Sequence, residues 1–413
     1  MLNKVSLSTL DINRYRLIET RGIMDELVSL GKELKGLRVC HVNSTPFGGG
    51  VAELLVSYIP LLRGLGITAD WQIARGNHHF FTITKGLHNA LQGAQFDPIK
   101  EIKVQREYLS QNLANARELD TNYDVIIIND PQPAALRHFS PESQAKWIWR
   151  NHIDSSNPDK AVWDFLRPYV ENHDAAIFTT EKFIPKKLNI GRVATMAPAI
   201  DPLSSKNFFI DRDVSRELLE SQGIDPQRHL ITQVSRFDQW KDPFGTIAAY
   251  RLAKSQIPGL QLAMIGSFAP DDPESWDMHA AIQEVAAGDR DLFVFSNLTG
   301  AGNMEVNAFQ RASEVVIQKS IREGFGLVVA EALWKGTPVI AGNTGGIPLQ
   351  MPGELSEYLV DSVEETADKI VYLLNNPDVR DHLGHLGQQV VTDHFLMPRL
   401  ARDELTLIKS LLA

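Results

Sequence analysis

The residues that decide the fold are 318–331, which read QKSIREGFGLVVAE. The apolar residues 315–317 come directly before them and predict a buried strand, and residues 327–334 have the spacing of a helix. Gly336 ends that helix, and residues 337–341 predict the next strand. Two glycines in the loop allow backbone N–H groups to approach an anion at the positive end of the helix. The stretch therefore predicts an α/β fold with an anion site where strand passes into helix.

Two glutamates frame that site. Glu323 lies in the loop, and Glu331 lies about five residues into the helix, or roughly 7–8 Å along its axis. Carboxylates accept hydrogen bonds from sugar hydroxyls, so the pair could hold two sides of a phosphorylated ligand. Two glutamates at this separation also occur by chance, and the glycines with the flanking strand and helix favour the binding role. A retaining glycosidase would need two carboxylates about 5 Å apart, so these glutamates predict positioning rather than acid–base chemistry.

Composition narrows the class of protein. The 413 residues exceed one ordinary core, which predicts two domains. A hydrophobic content of 43% and a charged content of 22% are typical of a soluble globular protein, and the net charge of −10 argues against general binding to nucleic acid. The single cysteine, Cys40, suits a reducing cytoplasm. A polar N-terminus and the lack of apolar runs near about 20 residues predict no signal peptide and no membrane insertion.

The alternation of strands and helices divides the chain in two. The first half contains a βαβ unit over residues 37–74, which implies a parallel sheet. The pattern restarts with a strand at 230–237, and residues 198–202 have the composition of a linker. We therefore expect two Rossmann-like domains, at residues 1–200 and 203–398.

A basic pair follows the first strand of the second half. Arg236 ends the strand, and Lys241 lies in the turn directly before Asp242 and Pro243, which have the cap and first-turn pattern of a helix. Arg supplies a planar fork of donors and Lys a point charge, a combination that suits a diphosphate. A solvated turn with ordinary surface charges is the alternative. The position at a strand's carboxyl end favours the diphosphate, because ligands of open α/β sheets bind beyond that edge.

Gly48, Gly49 and Gly50 form the first strand-to-helix turn. A dinucleotide fingerprint needs Gly-x-Gly-x-x-Gly and an acidic residue about 20 positions later. The last glycine is missing here, and Asp70 comes at the right distance without clearly ending a strand. We therefore favour approach of this backbone to a phosphate or sugar over NAD binding. A turn that only packs helix against strand remains open.

Polar side chains also follow two neighbouring strands of the first half. His152 and Asp154 follow one strand. Asp130 and Gln132 follow another, predicted at 123–129, whose continuous apolar residues indicate burial on both faces. Such side chains at a sheet's carboxyl edge could grip a polyhydroxylated acceptor. A structural histidine and an ordinary Asp-Pro turn are the alternatives.

Patterns for metal binding and for several other enzyme classes are missing. Neither Cys-x-x-Cys nor His-Glu-x-x-His occurs, and the Asp-x-Asp triplets at 211–213 and 289–291 lie in charged segments rather than at strand ends. There is no Gly-x-Ser-x-Gly elbow and no Walker loop, which disfavours an α/β-hydrolase and a P-loop ATPase. We predict no metal ligand.

With these residues in place, the chain resembles the family 4 retaining glycosyltransferases along essentially its whole length. The resemblance rests on the glycine-rich first turn, on Arg236 and Lys241, and on the motif EGFGLVVAE, which ends at Glu331. Within that family the chain is similar to the trehalose glycosyltransferring synthases, in stretches such as DPQPAAL from Asp130, and the related trehalose phosphorylases share much of the pattern. The resemblance implies the GT-B fold, two Rossmann-like parallel-sheet domains facing a cleft, with a C-terminal helix at 399–413 packed on the first domain.

The resemblance also implies roles for single residues. Arg236 and Lys241 would hold the nucleotide diphosphate, Glu331 the ribose hydroxyls and Glu323 the donor glucose, while His152 would contact that sugar near its C6 hydroxyl. The other donor-side residues would be Gly49, Gly50, Asn297, Leu298, Gly324, Phe325, Gly326 and Leu327. The acceptor-side residues would be Asn43, Asp130, Gln132, His152 and Asp154. Lys319 departs from the family pattern, which has an uncharged residue there, and adds positive charge near the phosphate site.

The implied activity is a retaining transfer of glucose from ADP-, UDP- or GDP-glucose to free glucose, which forms α,α-trehalose reversibly. The family favours a front-face route in which the leaving phosphate helps to deprotonate the acceptor. The alternatives are a trehalose phosphorylase, which would use inorganic phosphate, and a hexosyltransferase with another acceptor. Two further classes fit the residues less well, namely a nicotinamide oxidoreductase and a non-enzymatic sugar-binding regulator. We expect small sugars and a nucleotide sugar as partners, and no nucleic acid. We expect no tightly bound cofactor and no Mg²⁺ held by protein ligands. A homodimer is possible from the sequence.

Overall fold

The computed structural model of the protein describes residues 1–18, 22–47, 49–268 and 274–413. These residues form two compact units. The first comprises residues 1–198 together with the C-terminal residues 397–413, and the second comprises residues 199–268 and 274–396. No helix within the described ranges is long and apolar enough to cross a membrane.

The first unit is built on one seven-stranded sheet. Its strands are β1 (Asn3–Lys4), β2 (Arg38–Asn43), β3 (Thr68–Ile73), β4 (Val125–Asn129), β5 (Lys146–Asn151), β6 (Ala175–Phe178) and β7 (Arg192–Thr195). They lie in the order β1-β3-β2-β4-β5-β6-β7, with parallel pairing except between β1 and β3. Every residue of β4 is buried, as expected for a strand covered on both faces.

Helices cover this sheet. They are α1 (Ile23–Glu33), α2 (Gly50–Gly64), α3 (His78–Leu91), α4 (Ile102–Glu118) and α5 (Lys160–Val170), with short 3-10 helices at Ile12–Leu17, Asp97–Lys100 and Glu181–Phe183. Alternate residues of neighbouring strands, such as Ile126 and Ile128 of β4 and Trp147 and Trp149 of β5, belong to one apolar core. This core holds the sheet edge from which the polar loops emerge.

The second unit contains a six-stranded sheet. Its strands are β8 (Leu230–Arg236), β9 (Gln261–Ser267), β10 (Leu292–Ser296), β11 (Val315–Gln318), β12 (Val339–Gly342) and β13 (Leu359–Val360). They lie in the order β10-β9-β8-β11-β12-β13, and every pair is parallel. The direction of strand addition reverses between β8 and β11, so these two neighbours form the topological switch point of the sheet.

Seven helices and three short turns of 3-10 helix accompany the described part of this sheet. The helices are α6 (Arg212–Glu220), α7 (Pro243–Lys254), α8 (Ser275–Ala286), α9 (Asn303–Ala312), α10 (Leu327–Trp334), α11 (Val363–Asn375) and α12 (Pro377–His394). The 3-10 helices are Gln239–Lys241, Ile347–Leu349 and Gly353–Tyr358. The α/β fold with two parallel sheets is confirmed, while the two-residue strands β1 and β13 were too short to predict.

The last helix, α13 (Met397–Leu412), belongs to the first unit and packs against α1 and α2. The sequence predicts a chain break at Pro398 with a helix after it, and the structure corrects this. Pro398 lies inside the first turn of α13, where its missing N–H would have had no partner within the helix.

Candidate active site

Two loops meet at the carboxyl edge of the second sheet, at its switch point. One follows β8 and carries Arg236 and Lys241, and the other follows β11 and carries Glu323. The carbonyl oxygen of Trp240 accepts a hydrogen bond from the N–H of Ile321 at 2.9 Å, which joins the two backbones. This edge is where a parallel α/β sheet offers a ligand site.

Lys241 and Glu323 form an ion pair between these loops. The Nζ of Lys241 lies 2.6 Å from Oε2 of Glu323, whose side chain is buried. The same oxygen accepts a hydrogen bond from the Ser320 hydroxyl at 3.2 Å and a longer one from Nε2 of Gln318 at 3.4 Å. The structure therefore brings together an ammonium and a carboxylate that lie 82 residues apart in the chain.

Hydrogen bonds from β8 and within the loop itself hold the turn that carries Lys241. Nε2 of Gln233, inside β8, donates to the carbonyl oxygen of Lys241 at 2.8 Å. Asp238 accepts a hydrogen bond from the N–H of Trp240 at 2.9 Å and another from Arg236 at 3.4 Å. Because backbone and side chains both restrain the turn, Arg236 and Lys241 emerge from a rigid support.

Three basic groups at this edge each face a carboxylate. Arg236 pairs with Asp238, Lys241 with Glu323, and Lys319 with Asp242. The charge of each of these three groups is therefore balanced by its partner. An anionic ligand would gain less from net charge than from the fixed N–H and ammonium donors.

The glycine loop packs tightly around Glu323. Gly326 has φ +83 and precedes α10, and a Cβ there would lie 3.2 Å from Cγ of Glu323. The chain continues from Gly324 through the buried Phe325, whose carbonyl oxygen accepts a hydrogen bond from Nε2 of Gln350 at 2.6 Å. No side chain caps α10, whose first residue is Leu327, so the first N–H groups of the helix are donors with no partner inside the helix.

Glu331 lies in the second turn of α10, and its side chain is only 1% exposed. Its Oε1 lies 3.0 Å from Nζ of Lys206. This carboxylate is thus already part of a buried ion pair.

Asn297 and Leu298 follow β10 at the same edge of the sheet. Oδ1 of Asn297 accepts a hydrogen bond from the N–H of Phe268 at 3.0 Å, which ties the end of β10 to that of β9. Leu298 is 61% exposed. Of this pair, Asn297 shapes the loop and Leu298 presents an apolar surface.

In the first unit, His152 follows β5 and is held at two points. The backbone N–H of His152 donates to Oδ1 of Asp130 at 2.9 Å, and the ring Nε2 lies 2.9 Å from Oδ1 of Asn129. Because Nδ2 of Asn129 donates to the carbonyl oxygen of Val42 at 3.1 Å, its Oδ1 faces His152 as the acceptor. The Nε2 of His152 therefore carries the proton, and Nδ1 is left with a lone pair.

The imidazole of His152 is neutral in this setting. Burial, followed by the charges of Arg150 and His41, lowers the pKa of His152 well below its ordinary value. A neutral ring with Nδ1 unprotonated accepts a hydrogen bond from a hydroxyl group.

The other predicted acceptor-side residues differ in what they can offer. Asp130, with φ +65, uses its carboxylate to hold His152, and Asp154 is buried and accepts from the N–H of Ser156 at 3.0 Å. Asn43 is also buried, donating to the carbonyl oxygen of Thr45 at 2.8 Å and accepting from the indole of Trp71 at 2.6 Å. Gln132 is partly buried. Asn43, Asp130 and Asp154 thus support the edge of the sheet from within.

The glycine turn of the first unit leads into α2. Gly49 is extended, with φ 170, and Gly50 begins the helix, while Gly48 lies outside the described residues. A Cβ on Gly49 would meet nothing within 4 Å, so this position is open. Asp70 lies within β3, where its carboxylate pairs with Lys4 at 3.1 Å. It is not at a strand end, which weakens the dinucleotide interpretation further.

Some contacts of these residues were missed from the sequence. Ser320 and Gln318 hold Glu323, and Asn129 sets the tautomer of His152. The available signal was a polar residue at the end of an apolar strand, which fits Gln318 and Asn129. Among the described residues, no group of three or more His, Cys, Asp or Glu side chains is arranged to hold a metal ion.

A buried ionic cluster below His152 was also missed. Glu404 of α13 is fully buried and accepts hydrogen bonds from Arg150 of β5 at 2.7 Å and from the Tyr58 hydroxyl at 2.8 Å. Nε2 of His41 lies 3.4 Å from Oε1 of the same carboxylate. This cluster fastens the C-terminal helix to β2, which ends at Asn43, and to β5, which ends directly before His152.

Two family models match the chain. Residues 41–185 match the family described as trehalose synthase, N-terminal domain, and residues 214–390 match glycosyl transferases group 1. The first match includes the loops that follow β2, β4 and β5. The second includes Arg236, Lys241 and both glutamates of the glycine loop and α10.

Individual proteins agree with these matches. A trehalose synthase of Rubrobacter xylanophilus is 43% identical over 415 residues, covering 100% of both chains. A trehalose phosphorylase of Grifola frondosa is 27% identical, over 93% of this chain and 58% of that protein. Among solved structures, sucrose-phosphate synthase from Thermosynechococcus elongatus has a TM-score of 0.70 at 18% identity and covers 91% of this chain and 99% of its own. That likeness shows the GT-B fold.

Proposed function

Since the chain belongs to the trehalose synthase family of GT-B glycosyltransferases, we propose that it moves glucose from a nucleoside-diphosphate glucose to free glucose and forms α,α-trehalose reversibly. The observation that carries the proposal is the ion pair of Lys241 and Glu323 at the switch point of the second sheet. Lys241 supplies a cation for the leaving phosphate. Glu323, beside it, supplies a carboxylate that accepts hydrogen bonds from sugar hydroxyls.

In the proposed reaction, the bond between C1 of the donor glucose and the phosphate oxygen breaks. A bond from C1 to the anomeric hydroxyl oxygen of the acceptor forms on the same face, and the hydroxyl proton passes to the leaving phosphate. Negative charge grows on the diphosphate as the bond breaks. Arg236, Lys241 and the uncapped N-terminus of α10 supply donors for that charge.

Glu323 would position the donor rather than attack it. Its Oε2 already accepts hydrogen bonds from Lys241, Ser320 and Gln318, which lowers its strength as a nucleophile and defines its position. The other oxygen would accept hydrogen bonds from hydroxyls of the donor glucose. The neutral Nδ1 of His152 would accept one from the C6 hydroxyl.

The remaining assignments concern the nucleotide and the acceptor. Glu331 would bind the ribose hydroxyls after sharing its carboxylate with Lys206, and the backbone at Asn297 and Leu298 would contact the base. Gly49 and Gly50 would allow the α2 N-terminus to approach the substrates closely. Asp130, Gln132 and Asp154 would shape the acceptor side. No tightly bound cofactor takes part in this scheme, and any Mg²⁺ would accompany the nucleotide rather than bind protein ligands.

A product analysis tests the proposal. The protein is incubated with ADP-, UDP- or GDP-glucose and free glucose, and the disaccharide and its anomeric linkage are identified by NMR. Formation of non-reducing α,α-trehalose from at least one donor is the expected result. A different linkage, or release of glucose without transfer, would overturn it.

A second assay distinguishes the proposed activity from that of a phosphorylase. A phosphorylase would convert trehalose and inorganic phosphate into glucose 1-phosphate and glucose, with no nucleotide. We expect no glucose 1-phosphate under those conditions, and we expect ADP, UDP or GDP to raise the melting temperature, because a ligand that binds only the folded chain stabilises it.

A further inference from the structure

Lys319 directly follows β11, in the loop that carries Glu323. The residue is only 7% exposed, and its Nζ contacts Oδ2 of Asp242. Burying an ammonium group is costly unless a counter-charge meets it with good geometry. The pair is therefore a built feature of this edge rather than a chance surface contact.

Asp242 has an unusual conformation. Its φ of +46 and ψ of 56 lie in the left-handed region, which costs a residue with a Cβ about 1 kcal/mol or more. Its Oδ1 caps α7 by accepting a hydrogen bond from the N–H of Gly245 at 3.1 Å, and Oδ2 takes Lys319. A Cβ at Gly245 would lie 2.1 Å from Oδ2, so the glycine makes room for the carboxylate. Both oxygens of Asp242 are thus committed.

Two of the ion pairs at this edge, Lys241 with Glu323 and Lys319 with Asp242, connect the same two loops. Lys241 and Asp242 are consecutive in one loop, and they meet Glu323 and Lys319 of the other. The backbone hydrogen bond from the N–H of Ile321 to the carbonyl oxygen of Trp240 joins the same two loops. Because the dihedral angles of Asp242 set the direction in which the preceding residue leaves the turn, fixing Asp242 also fixes Lys241.

We propose that Lys319 and Asp242 form a positioning pair that aims Lys241 at the diphosphate of the donor. The inference rests on the proposed function, in which Lys241 binds that diphosphate. Lys319 acts through Asp242 and not by touching the phosphates itself. Its charge is neutralised by Asp242, which leaves it little electrostatic influence on a ligand.

The variants Lys319→Met, Asp242→Asn and their combination test this idea. Asn keeps the size of Asp, caps helices and tolerates the left-handed region, so Asp242→Asn removes chiefly the charge. We expect each single variant to lower kcat/KM for the nucleotide sugar by about 10- to 100-fold, with KM for glucose changed by less than about twofold. The double variant should be no worse than either single one, because both remove the same contact.

A direct contact between Lys319 and phosphate predicts another pattern. Lys319→Met would then be impaired while Asp242→Asn kept or improved its donor kinetics, since the ammonium would be released toward the ligand. That result would overturn the proposal. Lys319→Arg should recover part of the donor kcat/KM, because its guanidinium can still pair with Asp242. If Lys319→Met does not fold, Lys319→Arg and Asp242→Asn together provide the test.

Lys254→Met provides a matched control, since Lys254 is also an ion-paired lysine, with Asp289 at 2.7 Å and Asp291 at 2.9 Å, away from this edge. It should leave the donor kinetics unchanged. If the unmodified protein forms no trehalose from any of the three donors, the proposed function fails and this inference fails with it. If the unmodified protein is active and Lys319→Met has the same constants, the inference alone fails.

Discussion

Glu404 of the C-terminal helix and Arg150 of β5 are joined by a hydrogen bond of 2.7 Å, although they lie 254 residues apart and are almost fully withdrawn from solvent. The contact fastens α13 to the strand that ends just before His152. A buried charge pair of this kind adds little net stability over an apolar pair, but breaking one partner leaves the other charge unpaired. The C-terminal helix is thus coupled to the strand that supports His152.

Glu404→Gln should destabilise the first unit strongly. The amide keeps the size of the side chain but removes the negative charge that Arg150 faces, at an expected cost of about 3–5 kcal/mol. The melting temperature measures this loss. Glu33→Gln is the matched control, because Glu33 of α1 is 47% exposed and pairs with the half-exposed Lys409 of the same C-terminal helix, where the expected loss is below about 1 kcal/mol. Equal melting temperatures for the two variants would contradict the prediction.

The same pair predicts how stability depends on pH. Burial alone would raise the pKa of Glu404, but His41, Arg150 and the Tyr58 hydroxyl more than offset it, so the pKa lies below the ordinary value of 4.5. The stabilisation is therefore complete above that value and is lost as the pH falls through the lower pKa of the folded chain. The difference in melting temperature between the unmodified protein and Glu404→Gln should be constant above about pH 5 and shrink below it. A difference that grows on acidification would show the opposite sign.

Lys241→Ala should abolish most transfer while the protein stays folded. Removing a single donor to a developing negative charge lowers kcat by about 100- to 1000-fold. Initial rates of disaccharide formation measure the loss, and circular dichroism checks the fold. Lys254→Ala, which removes a lysine from an ion pair elsewhere, should keep the normal rate. Near-normal turnover in Lys241→Ala would remove Lys241 from the diphosphate site.

His152 should be neutral, as the Nε2–H tautomer, at pH 6.5, where an ordinary histidine is half protonated. Its pKa is lowered by burial and by the nearby charges of Arg150 and His41, and Asn129 accepts the Nε2 proton. Nitrogen chemical shifts of ¹⁵N-labelled histidines measure both properties, with His152→Ala used to assign the signal. A signal that titrates near pH 6.5 would contradict the structure.

Gly345→Ala should damage the glycine loop, and Gly353→Ala is its matched control. Both glycines have nearly the same φ, +58 and +61, so both variants carry the left-handed strain of about 1–2 kcal/mol. A Cβ at Gly345 would also lie 1.7 Å from the carbonyl oxygen of Glu323, whereas one at Gly353 meets nothing within 4 Å. Only Gly345→Ala should therefore displace Glu323 and lower the transfer rate. Equal rates and melting temperatures would count against this role of Gly345.

Much of the fold follows from local patterns. The strand predicted at 123–129 was expected to be buried on both faces, and the structure has β4 (Val125–Asn129) there with every residue buried. The helix predicted at 327–334 is α10, with the same bounds. Asp242 and Pro243 begin α7 as the cap pattern predicted. These features depend on residues close together in the chain, whose periodicity and capping are visible in the sequence.

The candidate site was only partly predictable for the same reason. The sequence nominated Lys241, Glu323 and Glu331 as separate residues, but it did not show that Lys241 pairs with Glu323 while Glu331 pairs with Lys206. It marked Lys319 as unusual without identifying Asp242 as its partner.

The sequence by itself determined the two parallel α/β sheets, the glycine loop before α10 and the polar residues at the carboxyl ends of the strands. Only the tertiary structure decided which charges meet: Lys241 with Glu323, Lys319 with Asp242, and Arg150 with Glu404. Hydrophobic periodicity and backbone preferences act over a few residues. Electrostatic interaction depends on distance in space and on burial, and neither is set by separation along the chain.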